Sequence, residues 1–187
     1  MGAIKTETPK RVDRSEVFVT DALAARSRKR RNCRDEKRDL LKLAGCLADH
    51  STEILPHFVD LAMKMTRAVS AGLSVYDPDT APNVFRWKHL RGTLARFEGA
   101  TTPRDDSPCG VTLDRNGPIL VAHPERMYDW IAAEKLVLPE VLLVPLKVGP
   151  KEPWGRCGWL QTRKTILTAA IRKHWLSSLS SLAQLYS

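Results

Sequence analysis

The chain has 187 residues, 43% of them hydrophobic and 27% charged, with a formal net charge of +9. That is one domain's worth of chain with enough length to bury a real core, and its balance is that of an ordinary globular protein. No apolar run approaches the ~18 residues a membrane-spanning helix needs, and the opening MGAIKTETPKRVDR has no apolar core of a signal peptide.

Cys33, Cys46, Cys109 and Cys157 are scattered, with no close pair and no His at metal-ligand spacing. Reduced thiols, a cytoplasmic location and no metal site are the expectation. Residues 1–34 read as a disordered, basic N-terminal segment. Within it, Ser15 to Arg26 has the makings of a short helix, with Val17, Phe18, Leu23 and Ala24 as its apolar residues. Arg26 to Arg38 (RSRKRRNCRDEKR) is one dense basic cluster. The plainer reading is a solvated charge run. The alternative is a basic nucleic-acid-associated protein working through Arg28–Arg38, with steeply salt-dependent binding. Five more basic residues (Arg156, Arg163, Lys164, Arg172 and Lys173) face no acid at all; without them 25 basic residues stand against 21 acidic. The basicity therefore belongs to two segments rather than to the whole domain.

A domain is expected over 35–155. Asp35 to Ala48 carries Leu40, Leu43, Ala44 and Leu47 on one helical stripe. Ser51 or Thr52 can cap a second helix, in which Pro56 is tolerable only in the first turn. Its Ile54, Phe58, Leu61, Ala62 and Met65 recur at steps of three and four and read as core. Ala71, Leu73 and Val75 then alternate with Gly72, Ser74 and Tyr76, a strand pattern. After a Pro- and Asp-rich loop, Val84 to Gly92 reads as the antiparallel return strand, with Phe85, Trp87 and His89 on one side. Gly99 to Asp106 is polar and turn-rich.

The stretch from Ser107 to Val148 is the most informative. Ser107 is an N-cap with Pro108 at the first helical position, and Asn116-Gly117-Pro118 punctuates a turn. Ile119-Leu120-Val121-Ala122 is a short apolar strand ending at His123-Pro124. Arg126 to Leu136 has helical spacing through Met127, Trp130, Ile131 and Glu134, and Val141 to Leu146 reads as a buried strand. Ser107-Pro108-Cys109-Gly110, Asn116 to Val121, His123 to Arg126 and Pro139 to Leu146 together resemble a GAF domain, most closely those placed ahead of bacterial histidine kinases. The resemblance covers about residues 50 to 155. It implies an α+β fold with a central antiparallel sheet and helices packed on its faces. It further implies a regulatory sensory module in signal transduction, binding a small molecule or a protein partner, with a homodimer through helices and a histidine kinase as partner. It names neither ligand nor cofactor.

The end of the chain departs from that pattern, which calls for one more central strand and a closing helix. All 21 acidic residues precede Arg156, although about three or four would be expected in a tail this long at the chain's own rate. Back-translated from Arg156 with permitted codons and read with the first two bases dropped, the tail becomes LWVVADEEDHFDSGHSEALAE, a strand, an acidic turn and an amphipathic helix. A frameshift near Gly155 is the reading this favours. It would make 156–187 an atypical basic tail, disrupt the last strand and closing helix, and leave a truncated fragment of a sensor kinase. The alternative is a genuine helical tail, with Ile166, Ala169, Ala170, Lys173 and Leu176 in helical order.

No GxSxG, Gly-rich phosphate loop, HExxH or paired Cys is present, so no catalytic constellation is expected and the chain reads as not an enzyme. The candidate ligand-binding residues are Trp87, Arg91, Cys109, Asp114, Tyr128 and Trp130. Aromatic and Arg groups commonly fix a ligand's orientation, and Cys109 at a helix start is placed for a lowered thiol pKa. Four have a plainer reading: Cys109 as a small residue at a helix start, Asp114 as a solvated turn residue, and Tyr128 and Trp130 as core and rim of one amphipathic helix.

Overall fold

The computed structural model describes residues 12–22, 54–76, 79, 81–146 and 156–162. The Asp35–Ala48 helix, the Arg28–Arg38 cluster and the chain from Arg163 onward lie outside the described residues.

Among the described residues, two helices precede the sheet. Helix α1 is Arg14–Val17, capped by the Asp13 side chain accepting from the Ser15 amide; α2 is Ile54–Thr66. Pro56 falls in the first turn of α2, where its missing N–H has no intrahelical partner to lose. At the other end the buried Thr66 hydroxyl donates to the Ala62 carbonyl at 2.7 Å and accepts from the Ala68 amide. The chain is thereby turned out of the helix into β1.

The strands are β1 Ser70–Tyr76, β2 Val84–Gly92, β3 Thr101–Pro103, β4 Ile119–Ala122, β5 Glu140–Leu146 and β6 Arg156–Thr162. Between β3 and β4 lies α3, Pro108–Arg115; between β4 and β5 lie a 3-10 turn, Pro124–Arg126, and the short α4, Asp129–Ala133. The sheet order is β3-β2-β1-β6-β5-β4, and every neighbouring pair is antiparallel. The architecture is the expected α+β arrangement, a central antiparallel sheet with helices on its faces.

The last strand, expected to be disrupted, is present. Arg156–Thr162 lies between β1 and β5, with Gly158 opposite Leu73 on one side and Val144 on the other. Ladder bonds use only backbone groups, and RCGWLQT contains no Pro to remove a donor, so this segment can join the ladder. Pro145 of β5 lies beyond the four residues that pair with β4, where one side of the strand is an edge.

Strand alternation divides the core in two. Ala71, Leu73, Leu120, Leu142 and Val144 meet Phe58, Val59 and Ala62 of α2 on one face. Phe85, Trp87, Ile119, Val121, Val141 and Leu143 point to the opposite face, which is covered by Val17, Cys109, Tyr128, Ile131 and Leu138. Burying a side chain of this size contributes about 1.5–3 kcal/mol, so both layers hold the sheet in register.

His89 departs from the expected alternation with Phe85 and Trp87. Ala71 pairs with Arg91 but Leu73 pairs with Lys88, so His89 and Leu90 together oppose a single β1 residue. His89 takes a left-handed conformation (φ 56°), and Leu90 takes the inward position instead. The Glu98 carboxylate accepts both bulge amides, His89 N at 2.8 Å and Leu90 N at 2.6 Å. Gly92 then turns the chain at φ +75°; a Cβ there would lie 2.0 Å from the Val69 carbonyl oxygen.

Candidate functional site

The face of the sheet away from α2 gathers most of the candidate residues. Trp87 stands near the middle of β2. Phe97, in the 3-10 turn Ala95–Phe97 after β2, meets its ring nearly edge-on, with centroids 6.2 Å apart. Trp130 of α4 meets it from the other element, also at 6.2 Å and with planes at 70°. Edge-to-face contacts of this kind add about 0.5–1.5 kcal/mol beyond area burial. The Trp130 indole N–H donates to the Asp106 carbonyl at 2.8 Å. One side chain thus ties α4 to the loop entering α3.

Helix α3 is anchored by its sequence. Ser107 accepts from the Gly110 amide at 3.2 Å, Pro108 occupies the first turn, and Asn116 closes the helix in the left-handed conformation. The Thr112 hydroxyl donates back to the Pro108 carbonyl at 2.9 Å. Gly110 is required by packing, because a Cβ would lie 2.0 Å from the Arg104 carbonyl oxygen. The same cap turns Cys109 inward: its Sγ lies 3.3 Å from the Ser74 hydroxyl, and both are buried.

Tyr128, at the start of α4, is 5% exposed, and burial pushes its phenol up to about 12. At pH 7 it is a neutral hydroxyl. Thr102 is 4% exposed and stands directly opposite Phe85 in the β2–β3 register. Directly opposed residues of an antiparallel pair share a face, so its hydroxyl is aimed into the same layer. Among the described residues that hydroxyl has no hydrogen-bond partner.

Trp87, Cys109, Tyr128 and Trp130 are therefore brought together. Asp114 and Arg91 are not. Asp114 is exposed on α3 and pairs with Arg104, whose guanidinium holds its carboxyl below the usual carboxylate range; Arg104 in turn lies over the Tyr76 ring at 5.5 Å. Arg91 follows the bulge and pairs through Nε with Asp60 of α2 at 2.7 Å, on the opposite face. A single extra residue in β2 thus changes the side to which the strand's end is directed. His123 ends β4 in a left-handed conformation with Nδ1 2.9 Å from Glu125, whose other oxygen accepts from the Leu138 amide.

Phe97 is not among the candidates the sequence offers, and Thr102 is offered only through its region, Gly99 to Asp106, which the GAF resemblance places at the border of a pocket. The region 99–106 reads as turn-rich, and nothing in a three-residue strand announces that its central side chain is buried. Among the described residues, no group of three or more His, Cys, Asp or Glu could hold a metal ion, and no helix is long and apolar enough to cross a membrane.

No protein-family model matches the chain, and no curated protein matches it. Solved structures do. The GAF domain of an Acinetobacter phosphoenolpyruvate-protein phosphotransferase is similar with a TM-score of 0.63 at 10% identity, over 81% of this chain and 92% of that one. The GAF domain of a two-component sensor histidine kinase from Bacillus halodurans is similar with a TM-score of 0.53 at 14% identity, over 73% and 93%. The free methionine-R-sulfoxide reductase of Neisseria meningitidis, solved in complex with its substrate, is similar with a TM-score of 0.63 at 15% identity, over 86% and 94%.

The chain has a GAF-like fold, as the sequence resemblance implied. The expectation that it is not an enzyme is corrected by the same comparison. A reductase is built on this fold, so the absence of familiar catalytic motifs does not exclude catalysis. At these identities it is the fold that is shared, and no activity carries over.

Proposed function

We propose that this chain is a regulatory GAF-type sensory module that holds a small molecule on the α3–α4 side of its sheet. The observation that carries the reading is Thr102, a buried hydroxyl without a partner among the described residues, aimed into a layer rimmed by Trp87 and Trp130. A polar group left this way is costly in the free protein and is satisfied when a bound molecule supplies the missing hydrogen bond. Cys109, Ser74 and Tyr128 add further hydroxyl or thiol groups to the same layer. That the similar Neisseria reductase is solved in complex with its substrate supports the reading.

The response is a population shift: the bound molecule favours one arrangement of α3, α4 and the β2–β3 loop, and neighbouring helices report it. The output partner is a histidine kinase on another chain, and the module works in the cytoplasm as a dimer through its helices. The test is a thermal-shift screen of nucleotides, amino acids including methionine sulfoxide, and tetrapyrroles, repeated on Thr102→Val. A compound that raises Tm in the native chain and loses roughly 5-fold or more in affinity with Thr102→Val, the net value of one hydrogen bond, supports the site. Binding indifferent to Thr102, Trp87 and Trp130 alike overturns it.

A second reading, a nucleic-acid-associated protein acting through Arg28–Arg38, rests on the charge of that cluster. It is tested by the salt dependence of binding to duplex DNA.

A further inference from the structure

Residues 12–22 make an unusual contact. They cross the outer strand of the sheet, β4, with very little backbone pairing. Phe18 forms an isolated antiparallel bridge to Val121. The Val19 amide donates to the Leu120 carbonyl at 2.9 Å, and the Leu120 amide donates to the Thr20 hydroxyl at 3.2 Å. The side chains divide sharply. Val17 is completely buried in the layer that also contains Trp87, Cys109 and Tyr128. Arg14, Ser15 and Glu16 are exposed, and the Glu16–Arg126 ion pair lies in solvent, with the two side chains 54% and 48% exposed. Phe18 is half-buried under two guanidinium groups, Arg14 at 5.0 Å and Arg115 at 5.7 Å from its ring.

We propose that residues 12–22 are a strap that docks on and leaves the β4 edge as a unit while the six-stranded sheet stays folded, opening and closing one wall of the apolar layer beneath α3 and α4. Four features point to a low-cost opening. α1 is a single turn, far too short to be stable alone. Val17 is the one side chain of the segment that is fully buried, while Val12, Phe18 and Val19 are only partly buried where they pack on the core. Exposed ion pairs contribute little. The backbone groups freed on β4, the Leu120 N–H and C=O, lie on the free edge of the outermost strand, where water replaces the strap's partners. The contacts are also specific: a buried apolar anchor, a bridge, a side-chain acceptor for Leu120 and a ring clasped by two cations. A segment with one fully buried anchor and half-buried apolar neighbours is built to be placed and released, in contrast to β6, which is paired on both sides.

The strap's mobility is independent of any ligand; that it gates the small-molecule site rests on the proposed function. Amide hydrogen exchange on the full chain, without ligand, therefore tests the first part alone. The Val19 and Leu120 amides are expected to exchange at one common rate, roughly 100-fold or more faster than those of Leu73 and Leu142. Val17→Ala is expected to speed Val19 and Leu120 by roughly 10-fold while leaving Leu73 and Leu142 unchanged. The proposal is overturned if Val19 and Leu120 exchange with the central strands, or if Val17→Ala accelerates all four amides alike. Either result would make the strap an integral part of the global fold. A second arm adds a compound from the screen. Protection of Val19 and Leu120 that changes on binding supports gating. An unchanged rate with a compound dependent on Thr102 would refute gating while leaving the site intact.

Discussion

Thr102→Val is the sharpest probe of the site because a stabilising outcome is expected from the loss of a polar group. Thr102 is 4% exposed, faces the layer opposite Phe85, and its hydroxyl has no partner among the described residues. Leaving a buried hydroxyl unsatisfied costs about 1–3 kcal/mol. Valine keeps the branched shape and the strand preference while placing a methyl group where the oxygen was. The variant should therefore gain about 1 kcal/mol or more in stability, equivalent to a rise in Tm of roughly 2–4 °C for a domain of this size. Thr102→Ser supplies the control: it keeps the oxygen, removes the methyl and should lose about 1 kcal/mol. The assay is thermal and urea unfolding of all three proteins followed by far-ultraviolet circular dichroism. If Thr102→Val loses more than about 0.5 kcal/mol, beyond the scatter of a neutral substitution, the hydroxyl is satisfied in the free protein. A ligand-dependent partner for that hydroxyl is then refuted.

Glu98→Ala removes the acceptor of both bulge amides and should cost about 2–3 kcal/mol, with a change in tryptophan fluorescence as Phe97 loosens from Trp87; an effect under about 0.5 kcal/mol would show the bulge to be self-supporting. Gly92→Ala and Gly110→Ala each put a Cβ 2.0 Å from a backbone oxygen, and each should lower Tm measurably in the same unfolding assay. Retention of the native Tm in either would show that the backbone relaxes freely. Tyr128 has its pKa raised by burial from 10.0 to about 12. Its contribution to stability is thus fully present below pH 10 and lost as pH rises through 12. In a spectrophotometric titration one of the three tyrosines should ionise late, and Tyr128→Phe should remove that step. For the end of the chain, Gly158→Pro should abolish cooperative unfolding, because it removes an N–H from a strand paired on both sides. A matching melt of a chain whose tail is rewritten in the second reading frame would show whether that tail changes more than β6. An unaltered transition in Gly158→Pro would place β6 outside the cooperative core.

Local chemistry was legible in the sequence wherever the signal is short-range. Ser107-Pro108 and Asn116 mark both ends of α3, and Pro56 marks the first turn of α2, because caps and proline act within a few residues of themselves. Period-two patterns marked β1 and β2, and the apolar runs at 119–122 and 141–146 marked β4 and β5. These elements in their order sufficed for the resemblance to a GAF domain. Four of the six candidate residues, Trp87, Cys109, Tyr128 and Trp130, share one layer because each sits on an inward position of its own element.

What remained was decided by pairing across distance. Arg91 was separated from Trp87 by the bulge at His89, whose amides are held by a carboxylate nine residues away in sequence. Thr102 was buried by its register with Phe85, and Val17 by the packing of the strap on β4, more than a hundred residues further on. Arg156–Thr162 reads as atypical by composition, yet lies at the centre of the sheet, since ladder bonds are made by backbone groups common to every residue except proline. Composition and spacing specify which face of an element is apolar. Which partner meets that face is determined only when β1, β5 and β6 come together, and with them the side on which a ligand can lie.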